Sequence, residues 1–247
     1  MYDYYLKKLL CLLALEYNCE PEDFLKDTNV LTASRLQNGG RNYSGKKYFF
    51  SMVTLGKNTV VTADETMLPF LSEYINRVQG HWLFEFKNLF AVNDELKKHG
   101  YELSSSHHML LACKTVSPYR QYPVKWFFDR EIDSFYGDKR FSHALCEKYL
   151  PDRPDRIAVC AYDHGNIMGM AGCSEDAPHW LQIGIDVLPE YRSRGVGTYL
   201  VTLLKNEIIK RGDIPFYGSA VGNYHSQNIA INSGFKPTWA EIEAKQI

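Results

Sequence analysis

From Leu181 to Val187 apolar and polar positions alternate, with Leu181, Ile183, Ile185 and Val187 set against Gln182, Gly184 and Asp186. A period of two predicts a strand that shows its apolar set to one face. Past "LPEYRSRG" the period changes. Val196, Tyr199, Leu200, Leu203, Leu204 and Ile208 fall at i, i+3, i+4, i+7, i+8 and i+12, the stripe of an amphipathic helix. A strand is therefore handed to a helix through a turn that holds Arg192, Arg194, Gly195 and Gly197.

The same reading along the rest of the chain gives an α/β order. It predicts a helix over about residues 3 to 17, a short second helix after "CEPEDF", and strands at "YFFSMVTL" and "TVVTA". Next come a helix "DETMLPFLSEYI" opened by Asp64 as cap, a strand "HWLFEF", a helix "NDELKKHG" closed by Gly100, and a strand "YELSSSHHMLLA". The segment "CKTVSPYRQYPVKW" carries Pro118 and Pro123 among polar residues, which suits a connection between lobes. A boundary near residues 113 to 123 divides the chain into 1–113 and 124–247. Beyond it the pattern predicts a helix within "EIDSFYGDKRFSHALCEKYL" and a hairpin in "RIAVCAYDHGNIMGMAGCS", with Gly165 and Asn166 supplying positive φ. After the central strand and helix come a strand "PFYGSAV", a helix "SQNIAINSG" and a last strand "TWAEIEA".

Composition adds limits. The 247 residues are 45% hydrophobic and 23% charged, an ordinary globular balance for one large or two smaller domains. A net charge of -1 gives no bulk pull toward nucleic acid or an anionic membrane, so neither is expected as a partner. The six cysteines show no C-x-x-C pair or zinc-site spacing and are expected as reduced thiols of a cytoplasmic protein, with no metal. The start "MYDYYLKKLLCLLALEY" is too short in its apolar run, and too acidic at Asp3, for a signal sequence, so an amphipathic helix is expected.

A turn that delivers a strand into a helix N-terminus aims unpaired N–H groups at one point, and the helix dipole adds partial positive charge. That is an anion site, with Gly195 and Gly197 expected to clear space for a phosphate and Arg192 and Arg194 to add charge at its rim. The dinucleotide fingerprint would need a glycine where Leu200 stands, and no Gly-Lys-Ser/Thr run marks a P-loop.

The remaining pattern, strand-V-x-P-E-Y-R-x-x-G-x-G-x-x-L-helix, resembles the cofactor signature of the GNAT N-acetyltransferase superfamily, whose R/Q-x-x-G-x-G/A turn holds the pyrophosphate of acetyl-coenzyme A. Downstream, "NYHSQNIAINSGF" is similar to that superfamily's asparagine, helix and Gly-Phe ending. The likeness covers about residues 124 to 247. It implies a mixed, mostly antiparallel GNAT-like sheet flanked by helices, and acetyl-CoA as cosubstrate. It further implies transfer of an acetyl group to a primary amine of a small molecule or a protein. The implied cofactor contacts are Ile185 and Val187 on the strand, Arg192, Ser193, Arg194, Gly195, Val196, Gly197 and Thr198 in the turn, and Asn223 and Ser226 downstream. The phrases "QIGIDVLPEYRSRGVG" and "IPFYGSAVGNYHSQNIAINSGF" resemble a two-lobed branch that includes zwittermicin-type self-resistance acetyltransferases.

Acetyl transfer needs a deprotonated amine, a positioned thioester and a proton for the leaving thiolate. Asp186 is the leading candidate base, with the alternative that it merely accepts hydrogen bonds from nearby backbone or from Arg192. Glu175, Asp176 and His179, in a loop before the strand, rank below it. Where relatives place an acidic tyrosine, five residues before the Phe of the Gly-Phe ending, this chain has Ala230. Tyr224, His225 or a water would have to stand in. Ser226 is either a cofactor contact or the N-cap of its helix. A non-catalytic, acyl-CoA-binding protein of the same fold is the competing reading.

The first lobe offers His81, His107 and His108 without metal-ligand companions, so loop or strand-edge histidines are expected. Its "AVNDELKKHGYELSSSHHMLLA" shares with "NIAINSGFKPTWAEIEA" a helix, a glycine, an aromatic and a strand, which fits either a degenerate second half or convergence. Nothing before residue 123 matches the turn, so one coenzyme A per chain is expected, with the first lobe walling the acceptor side. Oligomeric state is left open between monomer and homodimer.

Overall fold

The computed structural model describes residues 1–41, 43–104 and 106–247. In the first part of the chain helix α1 spans Tyr2–Tyr17, followed by strands β1 (Val30–Ala33), β2 (Phe50–Thr54) and β3 (Thr59–Ala63). Helices α2 (Leu68–Tyr74) and α3 (Phe86–Lys98) precede β4 (Tyr101–Leu103) and β5 (His107–Ala112). The second part holds β6 (Val124–Phe128), β7 (Asp155–Asp163), β8 (Asn166–Ala177), β9 (Trp180–Val187), α4 (Val196–Lys210), β10 (Ile214–Ala220), α5 (Tyr224–Asn232) and β11 (Phe235–Gln246).

The chain forms two compact units, one of Leu6–Met109 with Thr238–Ile247, the other of Met1–Tyr5 with Leu110–Pro237. Relative to a division at residues 113 to 123, the first unit also takes in the C-terminal residues. In that unit the strand order is β1-β3-β2-β11, with β4 on β11, and β1 runs parallel to β3 while β2 pairs antiparallel with both β3 and β11. Phe50, Met52, Val61, Met67, Leu71 and Leu96 make its core, each at most 1% exposed. Full burial of such a side chain stabilises by about 1.5 to 3 kcal/mol.

In the other unit the order is β10-β9-β8-β7-β6. Every neighbour pair is antiparallel except β9 and β10, which run parallel. Helix α4 packs on this sheet by Val196, Leu200, Leu204 and Ile208, and α5 packs beside it. Val201, Thr202 and Lys205 are buried as well, outside the stripe that the sequence marks, and Lys205 Nζ donates to the Lys114 carbonyl of the connection before β6.

Several expectations are corrected. "HWLFEF" forms a 3-10 turn over Gly80–Phe84 leading into α3, because only Gly80 and Leu83 of that turn are buried and Trp82 stays exposed. The stretch "EIDSFYGDKRFSHALCEKYL" forms 3-10 turns at Asp129–Phe135 and Lys139–Phe141, with no α-helix. Positive φ in the β7–β8 hairpin belongs to His164 and Gly165, not Asn166. Glu175 and Asp176 lie in β8, not in a loop, and His179 sits in the following turn with φ 68° and its Nδ1 2.8 Å from Asp213. Of "YELSSSHHMLLA", Ser105 lies outside the described residues, and β4 and β5 stand on either side. Strands β1 and β6 were not anticipated.

Candidate functional site

The turn between β9 and α4 is built from unusual backbone. Ser193 has φ 60° and Gly195 φ 81°, both left-handed, with a 3-10 turn over Pro189–Tyr191 ahead of them. Gly195 is the N-cap of α4 and no side chain caps the helix. The N–H groups of Val196, Gly197 and Thr198 therefore open the helix unopposed, the arrangement that receives an anion.

The two glycines serve different ends. Gly195 needs its positive φ, and a β-carbon there would fall 2.8 Å from Tyr119 Oη. Gly197 is buried, and its β-carbon would meet Ile229 Cδ1 of α5 at 2.9 Å and Val187 Cγ2 at 3.5 Å. The bare position thus lets α5 and β9 close on α4. Arg192 donates from Nε to the Val187 carbonyl at 3.2 Å, and the Arg194 guanidinium lies over the Tyr191 ring. Both arginines, like Ser193, are exposed at the rim.

The connection before β6 reaches this turn, which sequence reasoning missed. Lys205 Nζ donates to the Lys114 carbonyl at 2.6 Å and Asn206 Nδ2 to that of Val116 at 3.0 Å. Farther on, Tyr122 Oη donates to the Arg194 carbonyl at 2.8 Å, and Tyr199 Oη to that of Tyr122 at 3.1 Å. These bonds lay the segment along α4 and bring Tyr119 and the Arg120 side chain onto Gly195. The tyrosines of "SPYRQY" were the only available signal.

Next to the turn the two parallel strands part. The β9–β10 pairing runs from Trp180 with Ile214 to Ile183 with Tyr217, whereas β9 continues to Val187 and β10 to Ala220. Residues 184 to 187 keep their partners on β8 while the register with β10 ends at Ile183, so Ile185 and Val187 border an opening. At its apex the Tyr217 hydroxyl lies 2.8 Å from Ser226 Oγ. Burial pushes that hydroxyl up, the Ser226 hydrogen bond opposes this, and the charge of Asp186 adds to the rise.

On the other face of β9, Gly184 pairs with Gly172 of β8, and a β-carbon on either would collide with the carbonyl of His143 or Ala144. The bare strip lets residues 143–144 lie flat on the sheet. Asp186 completes the fit. Its Oδ2 accepts the N–H groups of His143 (2.7 Å) and Ala144 (2.9 Å), and its Oδ1 lies 2.9 Å from His143 Nδ1. The Asp186 side chain is 16% exposed, that of His143 80%. Arg192 is not its partner; the backbone it holds lies 43 residues earlier.

Downstream, Asn223 is the N-cap of α5 and accepts the Ser226 N–H at 3.1 Å, so Ser226 is not the cap. Tyr224 opens α5 and is 69% exposed, and Ala230 is fully buried. His225 is exposed. Glu175 pairs with Arg156 at 2.6 Å, and Asp176 accepts from Ser174 at 2.6 Å, so both are engaged away from β9's far end. His81 Nδ1 lies 2.9 Å from the Gly56 carbonyl, while His107 and His108 stand in β5. Among the described residues no group of three His, Cys, Asp or Glu is arranged to hold a metal, and no helix is long and apolar enough to cross a membrane.

Residues 120–235, which include this uncapped helix start and the two parallel strands that part, match the acetyltransferase (GNAT) family. The match is to that segment, under half of the chain. No curated protein matches the chain. Among solved structures, a GNAT-family protein from Novosphingobium aromaticivorans is similar at 15% identity and TM-score 0.47, over 59% of this chain and 66% of that one. An acetyltransferase of the GNAT family from Colwellia psychrerythraea gives 10% identity and TM-score 0.45, over 59% of this chain and 57% of that one. The chain thus spans less than two thirds of the length of either. A Salmonella typhimurium protein solved with its cofactor acetyl-CoA is similar at 13% identity and TM-score 0.35, over 50% of this chain and 93% of that one.

Proposed function

We propose that the protein is an acetyl-CoA-dependent N-acetyltransferase that acts on a primary amine of a small molecule or a protein. The observation that carries this is the uncapped start of α4 beside the opening between β9 and β10. In this reading the N–H groups of residues 196 to 198 hold the pyrophosphate, with Arg192, Ser193, Arg194 and Arg120 at the rim. From there an extended arm follows β9, whose residues advance about 3.3 Å each, so that the thioester comes opposite residues 184 to 187. Ile185 and Val187 offer it backbone groups that β10 does not take up. Asn223, Ser226 and Tyr224 stand at the start of α5, where the reading places the far side of the donor and a route for the proton of the departing thiolate. The likeness to two-lobed, zwittermicin-type enzymes belongs to this proposal and bears only on the acceptor.

One observation favours a second reading, an acyl-CoA-binding protein without turnover: the expected tyrosine is the buried Ala230. Calorimetry with acetyl-CoA, followed by thiol release over a panel of amines, separates the two. Saturation at one acetyl-CoA per chain with amine-dependent thiol release is expected. Binding without release favours the second reading, and no binding overturns both.

A further inference from the structure

We infer that His143 takes the proton from the acceptor nitrogen and that Asp186 positions it. The inference rests on the acetyl-transfer reading and changes the part played by Asp186 within it.

Asp186 makes a poor direct base because its oxygens are occupied. Oδ2 accepts two backbone N–H groups and Oδ1 faces the His143 ring, all at 2.7 to 2.9 Å. A carboxylate in this place accepts the Nδ1–H of a neutral imidazole, which leaves the lone pair on Nε2. The ring is 80% exposed, so Nε2 is open to an incoming amine. A carboxylate that fixes the tautomer and a second nitrogen that moves the proton form the orienter and base of hydrolytic triads.

The place suits the role. Asp186 lies three residues beyond the last β9–β10 pair, Ile183 with Tyr217, and so borders the opening. Its side chain and Gly184 share the face on which residues 143–144 rest, whereas Val187 faces Gly197 of α4. The base thus stands across β9 from the helix that carries the anion turn. Around the ring, Asp186 is its hydrogen-bond partner among the described residues. Lys139 and Arg140 precede it on the same turn, with Arg140 Nη2 engaged by Asp138 at 2.7 Å. In the step, the amine nitrogen bonds to the thioester carbon, the C–S bond breaks, and the N–H proton moves to Nε2. The imidazolium then gives its proton to the departing sulfur or to solvent, which restores the ring.

Steady-state kinetics of the full chain, with acetyl-CoA and an amine that the wild type accepts, test this. His143→Ala is expected to lower kcat by about 10²- to 10⁴-fold with the KM for acetyl-CoA little changed, and to abolish the low-pH limb of the kcat profile. Added imidazole should restore part of the rate in this variant, which a purely structural loss would not allow. Asp186→Asn should shift the same limb. A His143→Ala enzyme within about threefold of the wild-type kcat, or one that imidazole does not rescue, overturns the inference and leaves acetyl transfer standing. A wild type that binds acetyl-CoA without turnover removes both.

Discussion

The Tyr217 hydroxyl lies 2.8 Å from Ser226 Oγ and so ties the end of the β9–β10 pairing to the first turn of α5. Tyr217 is 2% exposed and Ser226 half-buried, so Tyr217→Phe removes one hydrogen bond and leaves the serine able to find water. We expect a loss of about 1 kcal/mol in urea unfolding at unchanged slope. A loss above about 3 kcal/mol would show that the pair holds more than this bond.

The two glycines of the turn should separate binding from packing. Gly195→Ala forces a side chain into φ 81° and toward Tyr119, so acetyl-CoA affinity should fall at least about tenfold, with a stability loss of about 1 to 2 kcal/mol. Gly197→Val instead drives methyl groups at Ile229, and should lower the melting temperature with a cost of about 1 to 3 kcal/mol. Ile229→Ala should recover part of the second loss and none of the first. Calorimetry and thermal melts check both, and equal recovery of the two would contradict the assignment.

Asp155 gives stability a pH dependence. It is 3% exposed, and burial pushes its carboxyl up to about 6 against the hydrogen bond from the Cys146 N–H. Raised above an unfolded value near about 3.9, it holds more protons folded than unfolded between those limits. Its contribution is thus full below about pH 4 and is lost as the pH rises through about 6. Asp155→Asn keeps the acceptor but cannot ionise. Relative to the wild type, the variant should be more stable at about pH 7.5 than at about pH 4, by about 1 to 3 kcal/mol. A difference that stays flat across that range would contradict the placement.

In the other unit Arg41 joins two carboxylates: its Nη2 lies 2.8 Å from Glu16 Oε2 and 2.9 Å from Glu241 Oε2, with arginine and Glu16 side chains only 4% and 2% exposed. Arg41→Met would leave both carboxylates without this cation. We expect a loss of about 3 to 5 kcal/mol by denaturant unfolding. The double variant Arg41→Met with Glu16→Leu should be less destabilised than the single one, and the opposite order would contradict the account.

The strand-turn-helix from Leu181 to Lys210 was legible because its signals are local. A period of two gives way to 3.6 across a turn whose glycines and arginines are neighbours in sequence, and an uncapped helix start presents its N–H groups wherever it is placed. Helix α1, strands β2 and β3 and the β7–β8 hairpin were readable for the same reason. What the sequence left open depends on residues far apart. The stretch 129–145 has helical composition, yet it winds in 3-10 turns and lies flat at 143–144 because Gly172 and Gly184 form a bare strip only once β8 and β9 pair. Asp186 reads alone as a candidate base. Only the tertiary fold brings His143 across 43 residues onto that carboxylate, engaging both Asp186 oxygens while the imidazole ring stays exposed.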